Sequence, residues 1–337
     1  MIMKPIAIVI LNHNGLKFLK KFLPNVILYS PEADVIIIDN GSTDNTVSWL
    51  KNNYSDLKLI ELKKNYGYAD GYNRGLKDLN YEYYALLNND LSVTKDWLSP
   101  LIEEFKTKNK VAIIQPHILN YDKNKYFDYA GAAGGFLDKY GYPFCRGRIL
   151  KTLEKDNGQY DKTTEVFWAS GACFLIRKNV FWELDGFDID FFAHQEEIDL
   201  CWRALNQGYK VLAVGSSKVY HIGGGTLPPS PKKIYLNHRN SLLMLNKNLP
   251  VKKRVRIIIT RLILDGFIGV YYILTLQFSK TLAIIKAHYS FYRSSKNNIY
   301  KRKKGILNIR YYHRKSIIFD YFISRKLYFS DLTKKIE

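Results

Sequence analysis

The chain has 337 residues, 47% of them hydrophobic, which is enough for one large domain with an extension or for two domains. Its three cysteines, Cys145, Cys173 and Cys201, are widely spaced, which excludes a disulfide framework and a cysteine metal cluster and favours a reducing compartment. The net charge of +20 is uneven, because residues 251–337 hold 20 Lys and Arg against 4 Asp and Glu, whereas residues 1–250 are nearly neutral.

The first ninety residues alternate between predicted strands and helices. The apolar segment Ile6–Asn12 lacks the basic start, the longer apolar run and the cleavage site of a signal peptide, so we predict a buried strand. Helices and strands then alternate over Leu16–Leu28, Asp34–Asp39, Asn45–Asn52, Leu57–Leu62, Tyr68–Leu79 and Tyr83–Leu87. This alternation predicts a parallel sheet with helices on both faces, whose ligands bind at the carboxyl ends of the strands.

The region that follows is less regular. Residues 117–165 are rich in Gly and Tyr, and we interpret them as loops and hairpins that flank a site. Three strands and one helix are predicted beyond them, over Val166–Ile176, Glu196–Asn206, Val211–Val214 and Lys218–His221. Gly223–Gly225 and Pro228–Pro229 then predict a domain boundary near residues 222–232.

The second predicted strand ends in Asp39, and the segment Asp39–Asp44 follows it with a glycine turn. A carboxylate at the end of a buried strand needs hydrogen-bond donors. The imide N–H of a uracil or thymine ring, or the Watson–Crick edge of guanine, could supply one. A plain strand-to-helix turn with a helix cap at Ser42–Asp44 explains the same residues and stays open.

The fourth predicted strand is followed by Asn88, Asn89 and Asp90. Mg²⁺ and Mn²⁺ prefer oxygen ligands and usually keep water and substrate phosphate in their coordination shell. Asp90, with Asn88 nearby, therefore suits an open metal site that bridges the phosphates of a nucleoside diphosphate. A simple Asn-Asn-Asp turn is the alternative.

The most specific pattern comprises Trp168–Phe174, Gly186–Asp188 and Phe191–Arg203. In the last of these, Glu196 and Glu197 open a helix, and adjacent carboxylates raise the proton affinity of one of them. That property suits a general base that takes a proton from an acceptor hydroxyl. Complementarity to the helix dipole would explain acidic residues here, but not the Ser-Gly-Ala and Gly-Phe-Asp segments upstream.

His221 is the last candidate along the chain. It follows a short predicted strand and precedes three glycines. This position suits a side chain that reaches toward a diphosphate or a metal, although a lone histidine with a structural role fits equally well.

The basic tail contains Ile257–Leu276, a nearly apolar stretch long enough to span a bilayer. Arg261 and Asp265 interrupt it, and each charged side chain would cost free energy at the centre of a membrane. Their spacing of four residues would let them pair along a helix. We therefore favour a helix at the membrane interface between the basic flanks Lys252–Arg254 and Lys301–Lys304. A membrane span and a soluble helical subdomain with a solvated basic face are the alternatives.

Taken together, these segments resemble the family 2 glycosyltransferases with the GT-A fold, in particular the rhamnosyltransferase-like subset. The resemblance covers residues 4–245 and is carried, in chain order, by Val9–Gly15, Asp39–Asp44, Asn65–Ala69, Leu87–Asp90, Ser170–Ala172, Glu196–Arg203 and His221. It implies an α/β fold with a Rossmann-like nucleotide-sugar-binding domain and a mixed, mostly parallel sheet. We expect this domain over residues 1–230 and a basic helical extension that associates with a membrane over residues 231–337.

The resemblance also implies a reaction and a set of site residues. An inverting enzyme would transfer a sugar from a dTDP-, UDP- or GDP-linked donor to a hydroxyl, without a covalent intermediate. The donor would be bound by Asn12, Asn14, Asp39, Asn65, Gly67, Asn73, Asn88, Asn89 and His221. Asp90 and His221 would hold Mn²⁺ or Mg²⁺, Glu197 or Glu196 would act as the base, and Trp168, Ser170 and Gly171 would lie on the acceptor side.

Three departures from the family pattern stand out. The metal motif contributes one carboxylate, Asp90, rather than two. The usual Glu-Asp pair is Glu196-Glu197, which leaves the identity of the base open between the two. Asp70 replaces a glycine in the usual Ala-Gly-Gly run, where it could contact the donor or face solvent.

The expected setting is cell-surface polysaccharide or glycolipid assembly in a bacterial envelope, with a glycan or lipid-linked acceptor. The cationic tail predicts a cytoplasmic enzyme held on the inner face of the cell membrane, and we expect no nucleic-acid partner. A nucleotidyltransferase that makes the activated sugar is one alternative, but residues 12–15 lack its glycine-rich phosphate loop. A non-enzymatic membrane-binding module is another; it explains the tail but not the acidic strand ends.

Overall fold

The structure is a computed structural model that describes residues 4–223, 230–302 and 309–333. Its strands are β1 (Ile6–Asn12), β2 (Ala33–Asp39), β3 (Lys58–Glu61), β4 (Tyr83–Asn88), β5 (Leu91–Val93), β6 (Val111–Asn120), β7 (Gly135–Leu137), β8 (Pro143–Cys145), β9 (Arg148–Ile149), β10 (Thr152–Leu153), β11 (Thr164–Glu165), β12 (Cys173–Arg177) and β13 (Lys210–His221). Its helices are α1 (Leu16–Leu28), α2 (Thr46–Asn53), α3 (Gly67–Leu76), α4 (Ser99–Thr107), α5 (Lys178–Glu183), α6 (Glu196–Asn206), α7 (Pro231–Asn248), α8 (Val251–Leu274), α9 (Phe278–Tyr300), α10 (Ile317–Phe322) and α11 (Phe329–Thr333).

A mixed sheet of nine strands forms the centre of the fold. Strands β3, β2, β1 and β4 run parallel in that order, as the alternation of strands and helices predicts. β12 lies antiparallel between β4 and β6, and β13 pairs parallel with β6. A second, four-stranded sheet contains β7 to β10, within the region predicted to form hairpins.

Alternate residues of β1 point to opposite faces of the sheet and into two hydrophobic clusters. Ala7 and Val9 pack on the face covered by α3, α6 and α7, whereas Ile6, Ile8 and Ile10 pack on the face covered by α1 and α4. Each of these five side chains is at most 2% exposed. Helices on both faces bury the strands completely, which explains why their sequences are continuous apolar runs.

Three strands of the structure differ from the prediction. The strand predicted over Val166–Ile176 begins only at Cys173, because residues 170–172 form a turn. The two short strands predicted before His221 form the single strand β13, which has a register shift between Val214 and Lys218. The central strand β6 was not predicted, since Gln115, Pro116 and His117 interrupt its apolar pattern.

Helix α7 packs against the same core as the sheet. It begins at Pro231, and Ser230 caps it by accepting a hydrogen bond from the backbone N–H of Lys233 at 3.3 Å. Residues 242–245 are fully buried in the cluster that also contains Ala7 and Val9. The predicted division at 230/231 therefore coincides with the start of an element and stays a prediction as a domain boundary; residues 224–229 lie outside the described part.

Helices α8 and α9 form a hairpin that packs against α7. Among the described residues, α8 is the one helix long and apolar enough to cross a membrane by length and composition. Its Arg261 and Asp265 pair at 2.9 Å, which confirms the pairing that their spacing of four residues predicts. Both side chains are buried against the protein. Tyr142 and His238 also contact the Asp265 carboxylate, at 3.2 and 3.1 Å, so the polar face of α8 is satisfied inside the fold.

Candidate active site

The polar ends of three neighbouring strands lie side by side at one edge of the main sheet. Asn12 at the end of β1 pairs in register with Asp39 at the end of β2, and Asn88 at the end of β4 lies opposite Leu11. Carboxyl ends of parallel strands meet at one edge, which is where ligands bind in open α/β sheets. The fold therefore brings together side chains that are up to 76 residues apart in sequence.

Asp39 is a buried carboxylate with one free oxygen. Its side chain is 2% exposed, and its Oδ2 accepts the backbone N–H of Ser42 at 2.9 Å. Its Oδ1 has no hydrogen-bond partner within the described residues. A buried carboxylate oxygen without a donor is costly, so this atom is ready to accept an N–H from a ligand.

Asn12 and Asn14 connect the loops around Asp39. The Oδ1 of Asn14 accepts the backbone N–H of Thr43 at 2.7 Å, which fixes the segment after Asp39. The Oδ1 of Asn12 accepts the side-chain amide of Asn89 at 2.6 Å. The end of β1 therefore contacts both the loop after Asp39, through Asn14, and the predicted metal motif after β4, through Asn12.

A tight turn over Asn65–Gly67 forms the next wall of the site. The Oδ1 of Asn65 accepts the backbone N–H of Gly67 at 2.8 Å, and Asn40 holds the turn by donating to the Gly67 carbonyl at 2.9 Å. Gly67 has a φ of +79°, and a Cβ at this position would lie 2.5 Å from the carbonyl oxygen of Phe192. Only glycine fits, because the backbone conformation and the close approach both exclude a side chain.

His221 joins two buried carboxylates. Its Nδ1 lies 3.1 Å from Oδ2 of Asp128, and its Nε2 lies 3.1 Å from Oδ1 of Asp90 and 3.4 Å from the amide nitrogen of Asn88. Burial by itself lowers the pKa of His221, but hydrogen bonds and charge from Asp128 and Asp90 raise it to about 10. Sequence analysis did not identify Asp128, since it lies in a loop region without a recognisable motif.

The residues around Asp90 fit a divalent cation. Asp90 is 1% exposed, and apart from the 3.1 Å contact with His221 its carboxylate oxygens have no hydrogen-bond partner among the residues described. No group of three His, Cys, Asp or Glu side chains in the described part of the chain is arranged to hold a metal alone. One buried carboxylate beside an imidazole matches an ion that keeps water and substrate phosphate as its other ligands.

The structure distinguishes the two adjacent glutamates by exposure. Glu196 is 4% exposed, and burial together with the charge of Glu197 raises its pKa well above the usual range. Glu197 is half-buried, and burial raises its pKa to about 7, against opposing backbone hydrogen bonds. Burial and the neighbouring charge therefore favour the protonated form of Glu196, and the more exposed Glu197 is the better placed of the two to accept a proton.

Glu197 lies against the turn that precedes β12. A Cβ placed on Gly171 would lie 3.7 Å from Cδ of Glu197 and 3.3 Å from the hydroxyl of Tyr68. The same turn accepts hydrogen bonds from the Tyr68 hydroxyl, to the Gly171 carbonyl at 2.7 Å, and from the Asn88 backbone N–H, to the Ala172 carbonyl at 2.9 Å. Gly171 therefore links the end of β4, which leads to Asp90, with the start of α6, which carries Glu197.

The loop before Glu196 has an unusual backbone. Phe192, His194 and Gln195 all have positive φ, between 62° and 74°, a region that non-glycine residues rarely adopt. The side-chain amide of Asn240 in α7 donates to the carbonyls of Phe191, Ala193 and His194 at 2.7 to 2.9 Å. A residue of the C-terminal helices thus maintains the strained loop that positions the glutamates, and no local sequence signal indicates this role.

Three residues predicted for ligand contact have side-chain polar groups bonded within the protein. Both polar groups of Asn73 bond to the backbone of Phe187, at 2.7 and 2.9 Å, and its place in the nucleotide site stays a prediction. Trp168 donates to the Phe136 carbonyl, and Ser170 donates to the Ala130 carbonyl. These two side chains are at most 4% exposed, and their place on the acceptor side stays a prediction.

Comparison with known proteins identifies the family of the chain. The model of the family "Glycosyl transferase family 2" matches residues 7–185. The low-salt glycan biosynthesis hexosyltransferase Agl10 of Haloferax volcanii is 26% identical over 251 residues, which cover 72% of this chain and 75% of that protein. The N-acetylglucosaminyl-diphospho-decaprenol L-rhamnosyltransferase of Mycobacterium tuberculosis is 25% identical over 219 residues, which cover 60% of this chain and 71% of the relative.

Two solved structures share the fold. GalNAc-T7 with UDP, GalNAc and Mn²⁺ superposes with a TM-score of 0.55 at 18% identity, over 73% of this chain and 48% of the other. The mannosyltransferase PcManGT from Pyrobaculum calidifontis, in complex with GDP-Man and Mn²⁺, superposes with a TM-score of 0.52 at 11% identity, over 86% and 87% of the two chains. These likenesses show a common GT-A-type fold.

Proposed function

The chain belongs to glycosyl transferase family 2 and is a glycosyltransferase, and on this premise we propose which of its residues bind the donor and move the proton. The observation that carries the proposal is the arrangement at one edge of the sheet. Asn12 pairs with Asp39 and accepts a hydrogen bond from Asn89, the neighbour of Asp90, and the turn at Gly171 and Ala172, which binds the Asn88 backbone N–H, lies beside Glu197. A membrane-binding module has no use for this arrangement, and a nucleotidyltransferase would be expected to carry the glycine-rich phosphate loop that residues 12–15 lack.

Asp39 and the loops beside it would bind the nucleotide. The free Oδ1 of Asp39 would accept the imide N–H of a uracil or thymine base, or the N–H groups of guanine. Asn12, Asn14, Asn65 and Gly67 form the adjacent walls. Because hydrogen bonds to a charged acceptor are the stronger class, Asp39 would contribute much of the base recognition.

Asp90 and His221 would hold Mn²⁺ or Mg²⁺ beside the donor diphosphate, with Asn88 and Asn89 next to them. When bound, the cation neutralises negative charge on the departing nucleoside diphosphate. Asp128 would orient the imidazole of His221 through its contact with Nδ1. Both solved neighbours contain Mn²⁺ together with a nucleotide or nucleotide sugar, which supports this part of the proposal.

Glu197 would act as the general base in a single displacement. The acceptor oxygen attacks the anomeric carbon, its proton passes to the Glu197 carboxylate, and the bond to the diphosphate breaks with its electron pair on the phosphate oxygen. Attack opposite the leaving group inverts the anomeric configuration. A carboxylate with a pKa of about 7 is well matched to this task near neutral pH.

We further propose that the enzyme works at a membrane surface in envelope polysaccharide or glycolipid assembly, on a glycan or lipid-linked acceptor. Support comes from the charge of residues 251–337 and from α8, whose outward face carries large apolar residues such as Ile259, Ile263, Phe267 and Leu274. Cationic and apolar groups together favour binding to an anionic bilayer. The expected location is the cytoplasmic face of the cell membrane.

A thermal-shift screen of nucleotide sugars, with and without Mn²⁺, tests the donor assignment. A bound donor stabilises the folded chain by mass action, so the correct nucleotide should raise Tm, and more so with Mn²⁺. Release of the nucleoside diphosphate in the presence of that donor would follow. Stabilisation by no nucleotide sugar, or release of pyrophosphate instead, would contradict the proposal.

A further inference from the structure

A groove between α7 and α9 lies outside the donor site. It is lined by Pro231, Lys232, Tyr235, Ser279, Leu282, Ala283 and Lys286, and it holds a volume of about 430 Å³. This volume lies within the range of small-molecule sites. The groove is mainly apolar along its floor, with the two lysines at its rim.

The two lysines leave positive charge at the groove. Neither Lys232 nor Lys286 forms an ion pair with an acidic side chain in the described part of the chain, whereas Lys247 near the other end of α7 and Lys301 just after α9 each contact two carboxylates. Lys232 also lies in the first turn of α7, where the helix dipole favours anions. An apolar groove with unpaired cations at its rim is complementary to an amphiphilic anion.

The groove opens onto an apolar surface. Exposed side chains on one face of α9 recur at helical spacing, at Phe278, Leu282, Ile285, Tyr289 and Tyr292, and each is at least 50% exposed. Leu282 belongs both to this stripe and to the groove. A lipid chain could therefore pass from the stripe into the groove without crossing polar surface.

The groove also adjoins the loop that leads to the glutamates. The ammonium group of Lys232 lies 5.1 Å from the centre of the Phe192 ring. Tyr235, in the groove wall, contacts Arg239 at 3.3 Å, and Arg239 donates to the Phe191 carbonyl at 3.1 Å. The carbonyl of Phe192 accepts the backbone N–H of Tyr68, whose hydroxyl lies at the Gly171 turn beside Glu197.

We propose that this groove binds the phosphate and the first part of the lipid chain of a lipid diphosphate acceptor, with Lys232 and Lys286 as phosphate ligands. The inference rests on the proposed glycosyltransferase function and assigns its acceptor a chemical class. The lipid phosphate would be held at the membrane-facing rim, and the sugar that it carries would extend past Phe192 toward Glu197. Acceptor selection would then depend on residues outside the family-matched segment 7–185.

Isothermal titration of the full chain with farnesyl diphosphate tests the site. The Lys232→Ala/Lys286→Ala variant should bind this probe at least tenfold more weakly than the wild type, whereas Lys252→Ala/Lys253→Ala, which removes two exposed lysines of α8, should bind it normally. Inorganic pyrophosphate and farnesol, each lacking half of the probe, should bind the wild type at least tenfold more weakly. Equal binding by the first variant, or equal binding of pyrophosphate, would overturn the proposal.

Two further measurements separate this inference from the rest of the account. Binding to vesicles that contain phosphatidylglycerol should be the same for both lysine variants, since a general loss of membrane attraction would affect both. A loss of vesicle binding confined to Lys232→Ala/Lys286→Ala would make the groove a contact for lipid headgroups and would overturn its role in acceptor binding. Donor-induced stabilisation should stay at the wild-type level in both variants. Loss of farnesyl diphosphate binding in Lys232→Ala/Lys286→Ala with intact stabilisation by the donor would support acceptor binding in the groove. A wild-type chain that no nucleotide sugar stabilises would contradict the proposed function itself.

Discussion

The side-chain amide nitrogen of Asn240 lies 2.7 Å from the carbonyl oxygen of His194, two residues before Glu196. The same amide reaches the carbonyls of Phe191 and Ala193, and Asn240 is fully buried. Buried carbonyl groups need donors, and in this loop the backbone conformation leaves them without partners in regular secondary structure. The C-terminal helices therefore form part of the framework of the loop that leads to Glu196 and Glu197.

Replacing Asn240 by Ala should lower kcat about 10- to 100-fold, because small displacements of a catalytic group have effects of this size. The affinity for the donor should fall less than kcat, because the loop that Asn240 holds touches the nucleotide wall only where the Phe192 carbonyl meets Gly67 and Tyr68. Steady-state kinetics together with donor titration would measure both quantities.

Asn246→Ala is the matched control for this variant. Asn246 lies on the same helix, is similarly buried, and bonds to the Ser295 carbonyl and to Asn298 at 3.1 and 3.0 Å, away from the catalytic loop. Both variants should lose about 1–3 kcal/mol of stability, the usual cost of an unsatisfied buried polar group. An equal loss of kcat in the two variants would reduce the role of Asn240 to general stability.

Asp39→Asn should weaken donor binding about 10- to 100-fold, which corresponds to about 1–3 kcal/mol for a mispaired buried group. The Asn side chain can still accept the Ser42 N–H, but it then presents an NH₂ group to the N–H of the base. Asp34→Asn, at the exposed start of the same strand, should leave donor affinity unchanged. Equal donor affinity in the Asp39 variant and the wild type would remove Asp39 from base recognition.

The pH dependence of kcat should show an acidic limb near pH 7. The base must be ionised to accept a proton, and burial raises the pKa of Glu197 to about 7. Below that pH the active fraction falls about tenfold per pH unit, and above it the rate levels off. A rate that is constant between pH 5.5 and 8 would be inconsistent with a base of this kind.

Phe267→Ser/Leu274→Ser should weaken binding to vesicles of phosphatidylcholine and phosphatidylglycerol several-fold, because these side chains are 68% and 77% exposed and contribute apolar area only on membrane contact. Thermal stability should change little. Leu28→Ser on α1, a residue that is also 68% exposed, serves as the control and should bind vesicles like the wild type. Unchanged partitioning of the α8 variant would reject the membrane surface.

Local sequence patterns predicted the elements that depend on local periodicity. The bounds of β1 and α1 agree with the predictions, since a fully buried strand and an amphipathic helix are both evident from apolar spacing. Asp39 and Asp90 could be identified as candidate site residues for the same reason, because Asp39 ends such a strand and Asp90 follows another. β6 was not, since Pro116 and its polar neighbours conceal a strand that the surrounding sheet stabilises.

The parts of the site that the sequence did not indicate depend on contacts distant in the chain. Asp128 meets His221 across 93 residues, and Asn240 meets His194 across 46. Neither contact has a local pattern, because each is created by the packing of separate elements. Ser170 shows the converse: it lies in a recognisable motif, but its side chain is directed into the core.

The rate of sugar transfer by Glu197→Gln, compared with that of Glu196→Gln at saturating donor, tests the central assignment most directly. Glutamine matches the protonated state of Glu196 but removes the proton acceptor at Glu197, so the first variant should lose at least about 100-fold in kcat and the second should retain most of it. Donor affinity should be unchanged in both. Wild-type transfer by Glu197→Gln would contradict the account.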